Sequence, residues 1–233
     1  MARQSVAASQ SVAAFIPELE LLIAEAMDEW KIPGLAITVV QNEQVALVQA
    51  FGLRDVEAGL KVTTDTQFLI GSITKSFTST GLAVLMDERR LDWNKPVRDY
   101  IPEFRLHDAV ATERVTVRDL LCHHSGMPRH DWIWMPGDLS YGQMLAAMRH
   151  LEMSDDVRNS FQYSNLGYLI ASIVAERVSG QSWTEFTRSA LTDKLHMNVT
   201  FTVENTEPAA RWRGRQARQS VDRRPNAPDP FRS

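Results

Sequence analysis

Cysteine occurs once in the 233 residues, at Cys122, so no internal disulfide can brace the fold, and stability owes nothing to the redox state of the compartment. Long apolar runs are lacking too. Ser5, Ser9, Gln10 and Ser11 interrupt the first fifteen residues, and no stretch approaches the length needed to cross a bilayer, so no membrane span is expected. This pattern predicts a cytoplasmic protein, or an exported one whose leader is missing from this chain. Nor is there an excess of charge of one sign. The formal net charge is -4 and basic residues are scattered through the body, which leaves no field to gather phosphates and argues against nucleic acid as a partner. A small neutral or anionic substrate is compatible with this charge.

What remains is ordinary globular text, 44% hydrophobic and 23% charged, long enough for one substantial core in one domain or in one domain with an inserted lobe. Leu19, Leu22, Ile23, Ala26, Met27 and Trp30 recur at helical spacing, with Pro17 in the first turn, and predict an amphipathic helix over 16–30 that Pro33 and Gly34 end. Alternation then takes over, through Leu35, Ile37 and Val39 and again through Val45, Leu47, Gln49 and Phe51, around the polar turn Gln41 to Gln44. Two antiparallel strands follow from it. A mostly buried helix is expected to begin near Ser72. The stretch from Leu91 to Val115 reads as irregular, with Pro96 and Pro102 as breakers. Thr116 and Asp119 have the spacing of a capping box opening a short helix that runs to Gly126 and Pro128. Further helices are expected over 140–151 and from Leu166 to Val178, the latter stopped by Ser179 and Gly180. From Pro208 onward, seven arginines and four prolines replace this periodic text.

Three short stretches carry the chemistry. In Gly71-Ser72-Ile73-Thr74-Lys75 a lysine lies one helical turn from a serine, on the same face. A serine hydroxyl becomes a nucleophile once a base takes its proton, and a desolvated lysine amine can do that, with the helix N-terminus favouring negative charge nearby. The plainer reading makes Ser72 an N-cap and Lys75 a solvated cation. In Tyr163-Ser164-Asn165 a phenol could relay the serine proton and an amide could hold an acyl carbonyl or the lysine. Otherwise Tyr163 is a core tyrosine and Asn165 a cap. In Leu120-Leu121-Cys122-His123-His124-Ser125-Gly126-Met127, the neighbouring Cys and His, with His130 and Asp131 behind them, raise the question of a metal. Adjacent histidines point apart rather than converge, so a structural helix-to-loop corner is expected and no metal.

Taken together, these stretches resemble the serine β-lactamase and penicillin-binding-protein superfamily, within it the branch of class C β-lactamases, D,D-peptidases and family VIII esterases. Ser72-Ile73-Thr74-Lys75 matches S-x-x-K, and Tyr163-Ser164-Asn165 matches Y-x-N some ninety residues on. Leu120 to Met127 looks like that branch's L-L-x-H-x-S-G-L corner. Phe51-Gly52-Leu53, Phe68-Leu69-Ile70-Gly71, Asn165-Leu166-Gly167-Tyr168 and Val178-Ser179-Gly180 read the same way, and the resemblance covers about 16–203. It implies an α/β fold, an antiparallel sheet plus an all-helical lobe. It also implies a serine hydrolase that acts on an amide or ester carbonyl of a β-lactam, a D-amino-acid peptide or a small ester. Ser72 would be the nucleophile, Lys75 or Tyr163 its base, and Asn165 a substrate-orienting group. No metal or organic cofactor is implied.

The branch also carries a third motif, K-T-G, H-x-G or W-x-G, on a strand that supplies a second oxyanion donor. No K-T-G occurs here, and Trp212-Arg213-Gly214 matches W-x-G in letters only, in an arginine-rich context without strand alternation. The expected organisation is therefore a flexible N-terminus over 1–15, an incomplete hydrolase domain over 16–207 with only its first two strands, and a disordered Arg/Pro-rich tail over 208–233 outside the family pattern. The competing expectation is a non-catalytic remnant that recognises penicillins, or an incomplete gene product.

Overall fold

Apolar spacing and Pro17 in the first turn produce α1, Ile16–Glu29, preceded by a 3-10 turn over Val12–Phe15 in the stretch expected to be flexible. Of the residues in α1, Ile23 alone is buried, while Leu21, Leu22 and, just past its end, Trp30 are exposed. The computed structural model describes residues 12–133 and 139–201, which divide into a first unit up to Leu69 and a second from Ile70 to Phe201. The tail over 208–233 and Trp212-Arg213-Gly214 lie outside the described residues.

The first unit holds α1 and an antiparallel sheet in the order β1-β2-β3, formed by β1, Gly34–Gln41, β2, Gln44–Asp55, and β3, Leu60–Lys61. The β1–β2 hairpin turns through Asn42 and Glu43, both at positive φ (52° and 64°), the backbone that matches the twist of paired strands. A register shift between Val39 and Val40 bulges the hairpin. The third strand corrects the expectation of two. It is two residues long, too short to show any alternation, and exists because β2 offers it an edge.

The second unit is helical. α2, Thr74–Asp87, buries Thr78, Gly81, Leu82 and Leu85 on one face and packs against α6, Asn165–Ser179, whose Leu166, Ile170, Ala171 and Val174 are buried. Between them lie α3, Ala109–Arg114, α4, Val117–Leu121, and α5, Tyr141–Ala147; α7, Trp183–Thr187, follows α6. Hydroxyl and carboxylate caps open these helices: Asp108 for α3, Thr116 with Asp119 for α4, Ser140 with Gln143 for α5, and Ser182 with Glu185 for α7. Gly180, at φ 77°, closes α6 in the left-handed conformation that costs glycine least.

Three expectations need adjusting. α3 interrupts the stretch read as irregular, because the Asp108 carboxylate accepts the Ala111 amide and nucleates one short turn. α4 ends at Leu121, well before Gly126, because His123 adopts a positive φ of 60° and turns the chain away. α2 begins two residues after Ser72, which sits instead on a 3-10 turn over Gly71–Ile73.

The core of this unit gathers Leu82, Leu85, Val97, Ile101, Phe104, Val115, Val117, Leu120, Met127 and Leu166, all fully or almost fully buried. Phe104 is among the largest of them and leaves the connection between α2 and α3 to fill this core. Truncating Phe104 to Ala is expected to cost about 3–5 kcal/mol, from lost transfer energy and the cavity left behind. Urea denaturation of the Phe104→Ala variant measures this. A loss below about 1 kcal/mol would show that the connection collapses into the space.

Candidate active site

Ser72 lies on the exposed 3-10 turn, and neither that turn nor α2 has a side-chain cap, so its hydroxyl is not used as an N-cap. One turn on, Lys75 points its Nζ to Ser72 Oγ at 3.2 Å and to Asn165 Oδ1 at 2.6 Å. The Tyr163 hydroxyl donates to Ser72 Oγ at 2.7 Å. All four residues that the motifs single out therefore converge on one point, across 90 residues of sequence.

The Y-x-N stretch achieves this by dividing labour. Ser164, extended at φ -135° and ψ 120°, caps α6 by accepting the Gly167 amide at 3.3 Å. Ser164 rather than Asn165 is therefore the cap, which frees the Asn165 amide for Lys75. Asp131 Oδ1 accepts Asn165 Nδ2 at 2.9 Å, and Asp131 Oδ2 accepts Arg129 Nε at 2.6 Å. A carboxylate only accepts, so it obliges Asn165 to turn its nitrogen to Asp131 and its oxygen to Lys75. Sequence reasoning considered Asp131 only beside a metal and missed this role, because no motif links it to a residue 34 positions away.

Electrostatics single out Tyr163. Burial pushes its phenol up, but hydrogen bonds to Lys75 and Ser72 and the charges of Lys75 and Arg129 outweigh this and hold it below the usual tyrosine range. The Lys75 ammonium lies 4.8 Å from the Tyr163 ring centre and 5.3 Å from that of Tyr168. Tyr168 moves the other way. Burial, with Cys122 and Tyr163 nearby, pushes its phenol up, and it donates to the Leu121 carbonyl at 3.1 Å. Their surroundings thus separate two like groups.

The corner after α4 holds the segment that delivers Tyr163. Arg158 forks onto Asp119, with Nε to Oδ1 and Nη2 to Oδ2, each at 2.9 Å. The Arg158 amide donates to the His124 carbonyl and the Gln162 amide to the His123 carbonyl, both at 2.8 Å. The Gly126 carbonyl accepts the Ser154 amide at 2.9 Å, and a Cβ on Gly126, at φ 73°, would lie 2.3 Å from the Asp155 carbonyl oxygen. Only glycine permits that approach. Among the described residues, no group of three potential metal ligands assembles. His123 Nδ1 instead accepts the Ser164 amide at 3.2 Å.

With this geometry established, the chain can be set beside known proteins. Residues 19–233 match the Beta-lactamase family. The chain belongs to this family. The match runs through the Arg/Pro-rich tail that composition set apart. An unguisins hydrolase of Aspergillus campestris (strain IBT 28561) is 30% identical over 190 residues, which cover 77% of this chain and 35% of that protein. Among solved structures, the octameric penicillin-binding protein homologue from Pyrococcus abyssi is 32% identical with a TM-score of 0.72, covering 82% of this chain and 46% of that one. A class C β-lactamase, 24% identical with a TM-score of 0.71 over 85% of this chain and 55% of its own, shares the fold. The chain thus spans about a third of the curated relative's length and about half of the solved structures'. It has the β-lactamase-like fold of helices with an antiparallel sheet, and among the described residues no helix is long and apolar enough to cross a membrane.

Asp119 also generates a prediction. Burial raises its carboxyl, but Arg158 and Thr116 outweigh that and hold it below its ordinary value. A depressed folded-state value stabilises above the unfolded value and is lost as pH falls through the folded one. Arg158→Met should cost about 1–2 kcal/mol at pH 7, discounted because the Arg158 side chain is half exposed. The gap from the unaltered protein should narrow as pH falls below about 4. Urea titrations at both pH values check this, and a gap that stays constant would assign the loss to packing.

Proposed function

We propose that this chain carries the acylating centre of a serine hydrolase that attacks amide or ester carbonyls through Ser72. The single observation that carries the reading is the contact of Ser72 Oγ with Tyr163 at 2.7 Å and Lys75 at 3.2 Å. In the proposed cycle the Tyr163 phenolate takes the Ser72 proton as Oγ bonds to the carbonyl carbon, and the carbonyl π electrons move onto oxygen. The Ser72 amide, at the start of the 3-10 turn, meets that oxygen. Collapse restores the carbonyl and breaks the bond to the leaving nitrogen or oxygen, which receives the proton from Tyr163. Water then repeats the sequence on the acyl-enzyme and releases the acid.

Tyr163 is preferred over Lys75 as proton acceptor because its oxygen is nearer and its phenol is held low. Lys75 supplies positive charge that favours the phenolate and is steered by Asn165. The substrate class is a β-lactam, a D-amino-acid peptide or a small ester, the range spanned by the superfamily that the motifs resemble. A second reading, acylation with little turnover, is favoured by one observation: no K-T-G occurs among these 233 residues, and the superfamily that the motifs resemble pairs that motif with a second oxyanion donor. One missing donor costs about 10²- to 10³-fold in turnover.

Intact mass after exposure to a fluorescent penicillin or a fluorophosphonate is expected to rise by one acyl or phosphonyl group, and Ser72→Ala should abolish the adduct. In Tyr163→Phe the labelling rate should fall about 10²- to 10⁴-fold. In the unaltered protein that rate should climb with pH and level off below the ordinary tyrosine range, because the base works deprotonated and its phenol is depressed. Labelling that persists in Ser72→Ala would refute the nucleophile. Hydrolysis of nitrocefin and p-nitrophenyl acetate, at ordinary rates or far below them, separates the two readings.

A further inference from the structure

His123 belongs to the corner stretch but has no part in the proton transfers described above, and its surroundings are unusual. It is a non-glycine residue at φ 60°, the sparsely occupied left-handed region, and this turn drives its ring inward until the residue is 9% exposed. The ring centre lies 4.5 Å from that of Tyr163 at an interplanar angle of 34°, 5.4 Å from Tyr168 and 5.5 Å from Phe161. Its backbone carbonyl accepts the amide of Gln162, the residue before Tyr163. Its Nδ1 accepts the amide of Ser164, the residue after it. One residue thus grips both neighbours of Tyr163 in the chain and packs its face on the tyrosine between them.

We propose that His123 is a positioning residue that holds the Tyr163 phenol against Ser72 and Lys75 by accepting the Ser164 amide through Nδ1. The proposal rests on the reading of Ser72 and Tyr163 given above. Acceptance at Nδ1 places the neutral ring's proton on Nε2. The groups facing the ring are Lys75 on α2, Tyr163 on the gripped segment, Tyr168 on α6 and the adjacent His124. Burial, with the charges of Lys75 and His124, holds the imidazole below its ordinary range, so the lone pair stays available. A buried aromatic serving only as filler needs no acceptor atom, and that difference can be tested.

Three variants separate the two roles. His123→Asn keeps an acceptor near the Nδ1 position and tolerates the left-handed backbone. His123→Phe keeps the ring without the acceptor, and His123→Ala removes both. The chain has four tyrosines, so ring-¹³C tyrosine NMR resolves each titration, with Tyr163→Phe assigning the key signal. In the Phe and Ala variants the Tyr163 titration should move up toward the ordinary tyrosine range, and labelling of Ser72 should slow by about tenfold or more. His123→Asn should largely restore both. A Tyr163 titration unmoved in the folded Phe variant, or full function in Phe with loss in Asn, overturns the proposal. Should the unaltered protein prove impossible to acylate, the nucleophile reading fails, and the Tyr163 titrations still decide the role of His123. Should Ala not fold, the Asn and Phe pair decides it.

Discussion

A single buried carboxylate, Asp119, holds together the part of the molecule on which the site depends. Its Oδ2 accepts the Thr116 amide at 2.9 Å and the Thr116 hydroxyl at 2.7 Å, which completes the capping box of α4. The same carboxylate receives both arms of Arg158 from 39 residues away. Local and long-range structure thus share one anion. The cap fixes where α4 starts, and so where the His123 turn falls. The fork fixes where the segment from Arg158 to Ser164 lies, and so where Tyr163 points. A neutral residue at 119 could cap the helix, but it could not also anchor a guanidinium.

From that anchor the site is assembled in layers. Backbone carbonyls of His123 and His124 pair with the amides of Gln162 and Arg158, laying the segment along the corner, and Gly126 lets residues 154 and 155 approach closely. Ser164 then caps α6, so that neither Tyr163 nor Asn165 is needed for the cap. α6 itself is fixed by packing on α2, which carries Lys75 just after Ser72. Ser72 and Lys75 lie at the start of α2 and Tyr163 and Asn165 at the start of α6, and a neighbour meets each partner of Ser72: Asp131 bonds Asn165, Asn165 bonds Lys75, and the His123 ring lies against that of Tyr163. Such support limits the reorganisation that proton transfer requires.

Charge follows the same arrangement. Lys75 and Arg129 bring positive charge to the Tyr163 phenol, and Asp131 pairs with Arg129. Tyr168, a second tyrosine close to the same ammonium, has its phenol pushed up by burial and donates its hydroxyl to a backbone carbonyl. Two identical side chains thus acquire opposite tendencies from their surroundings alone.

Sequence by itself determined the elements whose causes are local. Helical spacing and Pro17 predicted α1, Thr116 and Asp119 predicted the cap of α4, and Gly180 predicted the end of α6. The hairpin through Asn42 and Glu43 followed from alternation around a polar turn. Ser72, Lys75, Tyr163 and Asn165 were legible because their motifs are short, contiguous and separated by a family-like distance. Tertiary structure decided what depends on partners remote in the chain. β3 needs the edge of β2, since two residues carry no periodicity. The early end of α4 depends on a positive φ at His123 that no sequence pattern announces. Asp131 and Arg158 gained their roles only when folding brought them to Asn165 and Asp119, and no spacing rule encodes a hydrogen bond between loops. Local propensity writes helices and turns, but only packing can choose which charged side chains meet.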